Sequence, residues 1–140
     1  MLTDDKAVND IIRSKTFLNN VCKQTTVIDM SSTKPSTALD NYKTLKKRGV
    51  YFLDAPVSGG TKGAESASLA IMVGGEKKIY KKNLKVLKML GIPNYVGKPS
   101  SGQAAKLANQ IIVGITIGAV SEAIILSKKL GLKPTNVLKA

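Results

Sequence analysis

Short apolar segments alternate with longer amphipathic segments along the first two thirds of this chain. Residues 25–29, 51–54 and 69–73 are short and rich in apolar residues, which is typical of buried strands. The segment between the first two has Pro35 and Gly49 at the places where a helix would begin and end. Because strands that alternate with helices build a sheet covered by helices, the sequence predicts an α/β fold.

The remaining elements are predicted from the same start and stop signals. We expect a first helix over residues 5–17 with Val8, Ile11 and Ile12 facing inward, and a cap at Ser32 or Thr33 for the next helix. The further expected elements are a connecting loop over 57–68, a helix over 76–90, a strand at 95–96, a long helix over 103–130 and another helix from 133.

Composition changes over residues 97–102, where Gly, Pro and Ser dominate, and we place a boundary there between residues 1–100 and 101–140. In the second part, Gly114 and Gly118 either allow close packing of a neighbouring backbone or are tolerated small residues. The apolar run beyond residue 110 contains Glu122 and falls short of the roughly 20 apolar residues of a bilayer span. The sequence therefore favours a buried helix.

The formal net charge of +13 would by itself suggest a polyanionic partner. A large share of the positive charge lies on one predicted helix, opposite Tyr80, Leu84 and Leu87, which recur at helical spacing. With no Trp and few aromatic residues to stack on bases, a solvated helix face is favoured, and we expect neither a nucleic-acid nor a membrane partner. The lysines of this face are Lys77, Lys78, Lys81, Lys82, Lys85 and Lys88.

Cysteine and histidine are nearly absent, since Cys22 is the single cysteine and there is no histidine. Neither an intrachain disulfide nor a His/Cys zinc site can form, and a catalytic histidine is excluded. We expect no metal site and a reducing, cytoplasmic setting. The first five residues show neither the basic start nor the apolar core of a signal peptide.

Two motifs carry candidate chemistry. Residues 54–60 read Asp-Ala-Pro-Val-Ser-Gly-Gly, and glycines after a serine let backbone N–H groups approach a small carboxylate. Taken alone, this could equally be an ordinary turn. In the second motif Lys106, Asn109 and Gln110 stand at i, i+3 and i+4, so on a helix their side chains share one face. Without further context, a lone lysine near a helix start is usually a surface residue.

Together with residues 27–35, 69–75 and 121–123, these motifs resemble the beta-hydroxyacid dehydrogenase family. That family includes 3-hydroxyisobutyrate dehydrogenase, tartronate semialdehyde reductase and, more distantly, 6-phosphogluconate dehydrogenase. The resemblance implies the C-terminal part of a Rossmann-like dinucleotide-binding domain over residues 1–100. It also implies that residues 101–140 begin an all-α domain with a long helix.

The resemblance also implies site residues. Lys106 would exchange a proton with the substrate oxygen while hydride moves to or from the nicotinamide of NAD or NADP. Gln110 departs from the second Asn of many members, although the Asn-Gln pair resembles the tartronate semialdehyde reductase branch. Ser32 has a competing role as a helix cap. The implied substrate-binding residues are Ser58, Gly59, Gly60, Asn109 and Gln110, and the implied cofactor-binding residues are Ser31 and Ser32.

The implied function is hydride transfer between NAD(P) and a short beta-hydroxy acid or semialdehyde, in a protein expected to be a homo-oligomer. The sequence contains no Gly-x-Gly-x-x-Gly turn for a pyrophosphate, so we expect an internal fragment of such an enzyme. By itself this stretch should bind dinucleotide weakly and be inactive. The alternative is a non-catalytic binding or oligomerisation module that keeps part of the fold.

Overall fold

The computed structural model describes every residue from Met1 to Ala140, and these residues form two compact units, Met1–Lys106 and Leu107–Ala140. The helices and strands are α1 (Asp5–Ile12), α2 (Lys15–Asn20), β1 (Thr26–Asp29), α3 (Pro35–Lys46), β2 (Tyr51–Asp54), β3 (Val57–Ser58), α4 (Gly60–Glu65), β4 (Leu69–Gly75), α5 (Lys77–Lys88), β5 (Gly91–Gly97), α6 (Ser101–Lys129) and α7 (Pro134–Val137).

The first unit is built on a five-stranded mixed sheet, which confirms the predicted α/β class. The β1–β2 and β4–β5 pairs are parallel, whereas β2 and β3 both pair with β4 in the antiparallel sense. Asp54 lies opposite Gly74 and Val57 lies opposite Ile71, so β2 and β3 keep one register along β4. Residues 54–58 therefore run as a single extended segment.

Side chains of the sheet alternate between two apolar layers. Phe52 packs on the side of α1 and α3, whereas its neighbour Leu53 packs on the side of α5, as expected for successive residues of a strand. The first layer contains Val8, Ile12, Ala38, Leu45, Val50 and Phe52. The second layer contains Leu53, Ala55, Leu69, Ile71, Val73, Ile79 and Leu87.

The predicted single helix over residues 5–17 is wrong. The chain breaks after Ile12, because Ser14 adopts an extended conformation and its hydroxyl accepts a hydrogen bond from the N–H of Phe17, which caps α2. A serine side chain that bonds its neighbouring backbone favours a helix start over a helix interior. Val8 and Ile12 are buried as predicted, but Ile11 is 49% exposed.

The predicted cap of α3 is also wrong, because Lys34 occupies the cap position and makes no side-chain capping bond. Thr33 precedes the cap position, and its side-chain Oγ1 makes no hydrogen bond, while its backbone N–H donates to the side chain of Gln103. Pro35 opens the helix as predicted. Gly49 follows its end with a φ of +72°, a conformation that glycine adopts without strain.

The predicted loop over residues 57–68 contains the short strand β3 and the helix α4. The predicted two-residue strand at 95–96 is part of the longer β5, which begins at Gly91 and pairs with β4. Both β3 and β5 are strands because they pair with β4. Their own sequences contain or adjoin glycine and proline, which are rare in strands, and so do not predict them.

In the second unit, α6 continues to Lys129 and α7 follows after Gly131. Most of this part of α6 is exposed in the structure, which differs from the predicted buried helix. A Cβ atom added at Gly114 or Gly118 would meet no atom within 4 Å.

By length and composition α6 is the one helix that could cross a membrane, a property that it shares with the core helices of soluble proteins. Its exposed apolar residues include Ile111, Ile112, Ile115, Ile117, Ile125 and Leu126.

Candidate active site

The long helix α6 begins on a buried carboxylate. Asp54, the last residue of β2, is fully buried, and its Oδ1 accepts a hydrogen bond of 2.9 Å from the N–H of Ser100. Its Oδ2 accepts a bond of 3.0 Å from the N–H of Gln103. A carboxylate at this position satisfies free N–H groups of the first helical turn and complements the positive end of the helix dipole. The start of α6 is therefore fixed to the end of β2.

Burial raises the pKa of Asp54 above its ordinary value of 3.8, although the N–H bonds from Gln103 and Ser100 act in the opposite direction. A carboxyl group whose pKa is higher in the folded state than in the unfolded state binds its proton more tightly in the fold. Its contribution to stability is therefore complete below pH 3.8 and is lost as the pH rises through the folded-state pKa.

Two glycines allow α6 to approach the sheet this closely. A Cβ atom on Gly102 would lie 2.4 Å from the carbonyl oxygens of both Asp54 and Met72. A Cβ atom on Gly74 would lie 2.6 Å from Asp54 Oδ1 and from the backbone nitrogen of Gly102. Real Cβ atoms do not approach backbone atoms so closely, so both positions require glycine.

A second connection to α6 comes from the segment that follows β1. Gln103 is only 1% exposed, and its Nε2 donates a hydrogen bond of 2.7 Å to the carbonyl oxygen of Ser31. Its Oε1 accepts a bond of 3.0 Å from the N–H of Thr33. One side chain thus satisfies two backbone groups of buried residues, the carbonyl oxygen of Ser31 and the N–H of Thr33. We call this pair of hydrogen bonds the Gln103 bridge.

The segment over residues 29–33 offers buried polar atoms to a ligand. Asp29 Oδ1 accepts a bond of 3.0 Å from the N–H of Ser31, but Asp29 Oδ2 and Thr33 Oγ1 are buried without a hydrogen-bond partner. Ser31 is fully buried and its hydroxyl accepts a bond of 2.9 Å from the N–H of Leu2, whereas Ser32 is exposed. Because unpaired buried polar atoms are rare, this segment fits the polar end of a cofactor such as NAD or NADP.

Lys106 lies on α6 three residues beyond Gln103 and is half-buried. The Gln103 bridge therefore connects the helix of the predicted proton carrier with the segment of Ser31 and Ser32. Asn109 and Gln110 follow Lys106 on the same helix at the predicted spacing, and they lie in the second unit. There, Asn109 Nδ2 lies 3.4 Å from Gln110 Oε1.

The predicted carboxylate loop lies where β3 passes into α4. Ser58 is half-buried at the end of β3, and Gly59 has a φ of +134° that a residue with a side chain would rarely adopt. Gly60 opens α4 with a φ of +61°. The extended segment 54–58 joins Ser58 to Asp54. The carboxylate loop therefore follows directly from the segment whose first residue binds the start of α6.

Asp54, which opens the first motif, and Gly102 and Gln103, which precede Lys106 on α6, were not predicted as site residues. The available signal was their order along the chain: Asp54 ends an apolar strand and Gly102-Gln103 opens the long helix. Their pairing connects residues 49 positions apart, which no local pattern indicates. No group of three or more His, Cys, Asp or Glu side chains is arranged to hold a metal ion.

Comparison with known families divides the chain close to the start of α6. Residues 1–98 match the profile of the NAD binding domain of 6-phosphogluconate dehydrogenase. Residues 100–140 match the profile described as NAD-binding of NADP-dependent 3-hydroxyisobutyrate dehydrogenase. Both matched profiles describe NAD-binding regions of oxidoreductases.

Individual relatives agree with these profiles. The chain is 44% identical to 2-(hydroxymethyl)glutarate dehydrogenase from Eubacterium barkeri over 82% of this chain and 39% of that protein. It is 37% identical to 2-hydroxy-3-oxopropionate reductase from Escherichia coli K12 over all of this chain and 49% of that protein. A structure of Mycobacterium tuberculosis 3-hydroxyisobutyrate dehydrogenase with L-serine is similar, with a TM-score of 0.88, 34% identity, and coverage of 95% of this chain and 45% of that one. The chain spans less than half the length of each of these three.

Proposed function

Because this chain belongs to the family of the NAD binding domain of 6-phosphogluconate dehydrogenase, we propose that the protein is an NAD- or NADP-dependent oxidoreductase. It interconverts a short beta-hydroxy acid and the corresponding semialdehyde or keto acid. The observation that carries the proposal is the Gln103 bridge, which ties the helix of Lys106 to the segment at the carboxyl end of β1. In α/β sheets, ligands bind at the carboxyl ends of the strands.

Each predicted site residue has a task in this reaction. Lys106 donates a proton to the substrate oxygen or removes one from it, while Asn109 and Gln110 hold the substrate from the same helix. A bound nicotinamide cofactor supplies or accepts the hydride, and Ser31 and Ser32 lie in the segment that receives its nicotinamide end. The substrate carboxylate is bound by Ser58, Gly59 and Gly60 through a hydroxyl and backbone N–H groups.

A short acid is the substrate class that the relatives favour. Two of them are named for 2-(hydroxymethyl)glutarate and 2-hydroxy-3-oxopropionate, which both carry a carboxylate and a hydroxyl group. A loop with two glycines after a half-buried serine suits a carboxylate, because no side chain keeps the backbone N–H groups away from it. We propose that the substrate of this protein likewise carries a carboxylate and a hydroxyl group.

The proposal is tested by measuring nicotinamide absorbance during turnover of the full-length protein with NAD and NADP in turn. We expect oxidation of at least one short beta-hydroxy acid and no turnover of the matching alcohol that lacks the carboxylate. If the alcohol is oxidised as fast as the acid, the assignment of the carboxylate loop is wrong. If no acid is oxidised with either cofactor, the alternative of a non-catalytic module is favoured.

Replacing Ser58 by alanine should raise KM for the acid by about tenfold, because one hydrogen bond to a charged group is lost. The dissociation constant of the dinucleotide should stay within about twofold of the wild-type value. Ser66→Ala is the matched control, since Ser66 is exposed and its hydroxyl bonds only within the same loop region, to Lys62 and Ser68. Unchanged KM values for several acids in Ser58→Ala would remove Ser58 from the site.

We also propose that the protein acts in the cytoplasm as a homo-oligomer. The proposal of a homo-oligomer is supported by large apolar side chains of α6, such as Ile112 and Ile115, which are 65% and 68% exposed in the structure. Exposed apolar surface of this extent is typical of helices that pack against further protein.

A further inference from the structure

Gln103 is the buried residue through which α6 is bonded to two other parts of the chain, the end of β2 and the segment after β1. Its backbone N–H binds the carboxylate of Asp54 at the end of β2, over 3.0 Å. Its side chain binds the carbonyl oxygen of Ser31 at 2.7 Å and the N–H of Thr33 at 3.0 Å. These side-chain bonds join residues 72 and 70 positions apart in sequence, so they are tertiary contacts and not part of a local turn.

The carboxamide of Gln103 matches the two backbone groups that it binds better than other side chains of similar size would. A glutamine presents one donor and one acceptor side by side, and these match a carbonyl oxygen and an N–H that belong to one short backbone segment. A glutamate would place a second acceptor against the carbonyl oxygen of Ser31. A methionine would fill a similar volume but would leave both backbone groups without partners in a buried site.

Lys106 follows Gln103 by three residues on α6, which is about 4.5 Å along the helix axis. A helical turn is stiff, so the position of Gln103 largely determines where the lysine side chain starts. The other end of the bridge is the segment over residues 31–33, which under the proposed function receives the nicotinamide end of the cofactor.

We propose that Gln103 is a positioning residue that sets the location of Lys106 relative to the Ser31–Thr33 segment, and this inference rests on the proposed dehydrogenase function. The Gln103 bridge keeps the proton carrier and the cofactor segment in register during turnover. Loss of the bridge should therefore impair the chemical step more than the binding of substrate, because a displacement of about 1 Å can lower a rate by roughly 100-fold.

The main test is Gln103→Met in the full-length protein, since methionine keeps the length and the helix propensity of glutamine. We expect kcat to fall by about tenfold or more, while KM for the acid stays within about threefold. The melting temperature should also fall, because two buried backbone groups lose their partners.

Ile79→Val is the matched control for lost stability. Ile79 is a buried residue of α5 in the second apolar layer and takes no part in the bridge, and its shortening lowers stability without removing a hydrogen bond. We expect its kcat to equal that of the wild type. If Gln103→Met keeps the wild-type kcat, or if Ile79→Val loses as much of it, Gln103 is only a structural residue and the proposal is overturned.

A second measurement requires no turnover and therefore separates this inference from the proposed function. Amide hydrogen exchange of the ligand-free protein should become faster over residues 31–34 in Gln103→Met and stay unchanged there in Ile79→Val. Unchanged exchange in Gln103→Met would refute the bridge as a constraint. If exchange is faster in Gln103→Met but the wild-type protein oxidises no acid, the bridge is still a structural constraint. The proposed dehydrogenase function is then rejected, and the positioning role of Gln103 is rejected with it.

Discussion

Replacing Lys106 by alanine is expected to lower kcat by about 10²–10⁴-fold, the usual contribution of a positioned general acid or base. The substrate oxygen gains or loses a proton as hydride is transferred, and without the amine that proton must be exchanged with water. Because Lys106 is assigned to the substrate and not to the cofactor, the dissociation constant of the dinucleotide should change little. Steady-state kinetics and calorimetric titration of the full-length variant measure the two quantities separately.

Two further variants sharpen this test. Lys106→Arg keeps the positive charge, but a guanidinium group does not release its proton at ordinary pH, so kcat should remain low. Lys129→Ala removes a lysine from the last turn of the same helix and should leave kcat unchanged. A kcat close to the wild-type value in Lys106→Ala would remove this lysine from the mechanism and would contradict the proposed role of α6.

Replacing Gly102 by alanine is expected to destabilise the fold by about 3 kcal/mol or more, at the upper end of the cost of overpacking. The added Cβ atom would lie 2.4 Å from two carbonyl oxygens, those of Asp54 and Met72. Both oxygens belong to the backbone next to or within the sheet, so neither can move away as a flexible side chain could. The start of α6 must shift instead, which also breaks the hydrogen bonds to Asp54. Urea unfolding of the variant measures the loss.

Gly114→Ala is the matched control on the same helix. A Cβ atom at Gly114 meets no atom within 4 Å, and alanine favours a helix over glycine by about 1 kcal/mol. The control should therefore be neutral or slightly stabilising. A free energy of unfolding for Gly102→Ala within about 0.5 kcal/mol of the wild type would show that the close approach of α6 to the sheet is not required.

Several elements of the fold could be predicted from short stretches of sequence. The strand over residues 51–54 and the start of α3 at Pro35 agree with the structure because their signals are local: an apolar run in the first case and a proline in the first helical turn in the second. The α/β class followed from the same alternation. The two motifs likewise identified the stretches that hold Lys106 and Ser58, whose chemical roles stay predictions.

Other elements could not be predicted because distant residues decide them. The strand β3 exists because residues 57–58 pair with β4, and the backbone N–H of Thr33 is bonded by the side chain of Gln103, 70 residues further on. The break between α1 and α2 has a local cause. The side chain of Ser14 bonds the N–H of Phe17 and begins a new helix, although the periodicity of the flanking residues favours one continuous helix.

The sequence by itself determined the alternation of apolar strands with helices, the family resemblance and the residues that could carry chemistry. Only the tertiary structure decided that Asp54 caps α6, that Gly74 and Gly102 allow the close approach, and that Gln103 binds the segment after β1. The physical reason is that a buried polar group must find a partner wherever the folded chain brings one within hydrogen-bond distance. That partner is chosen by the packing of the sheet and of α6, and no spacing along the chain specifies it.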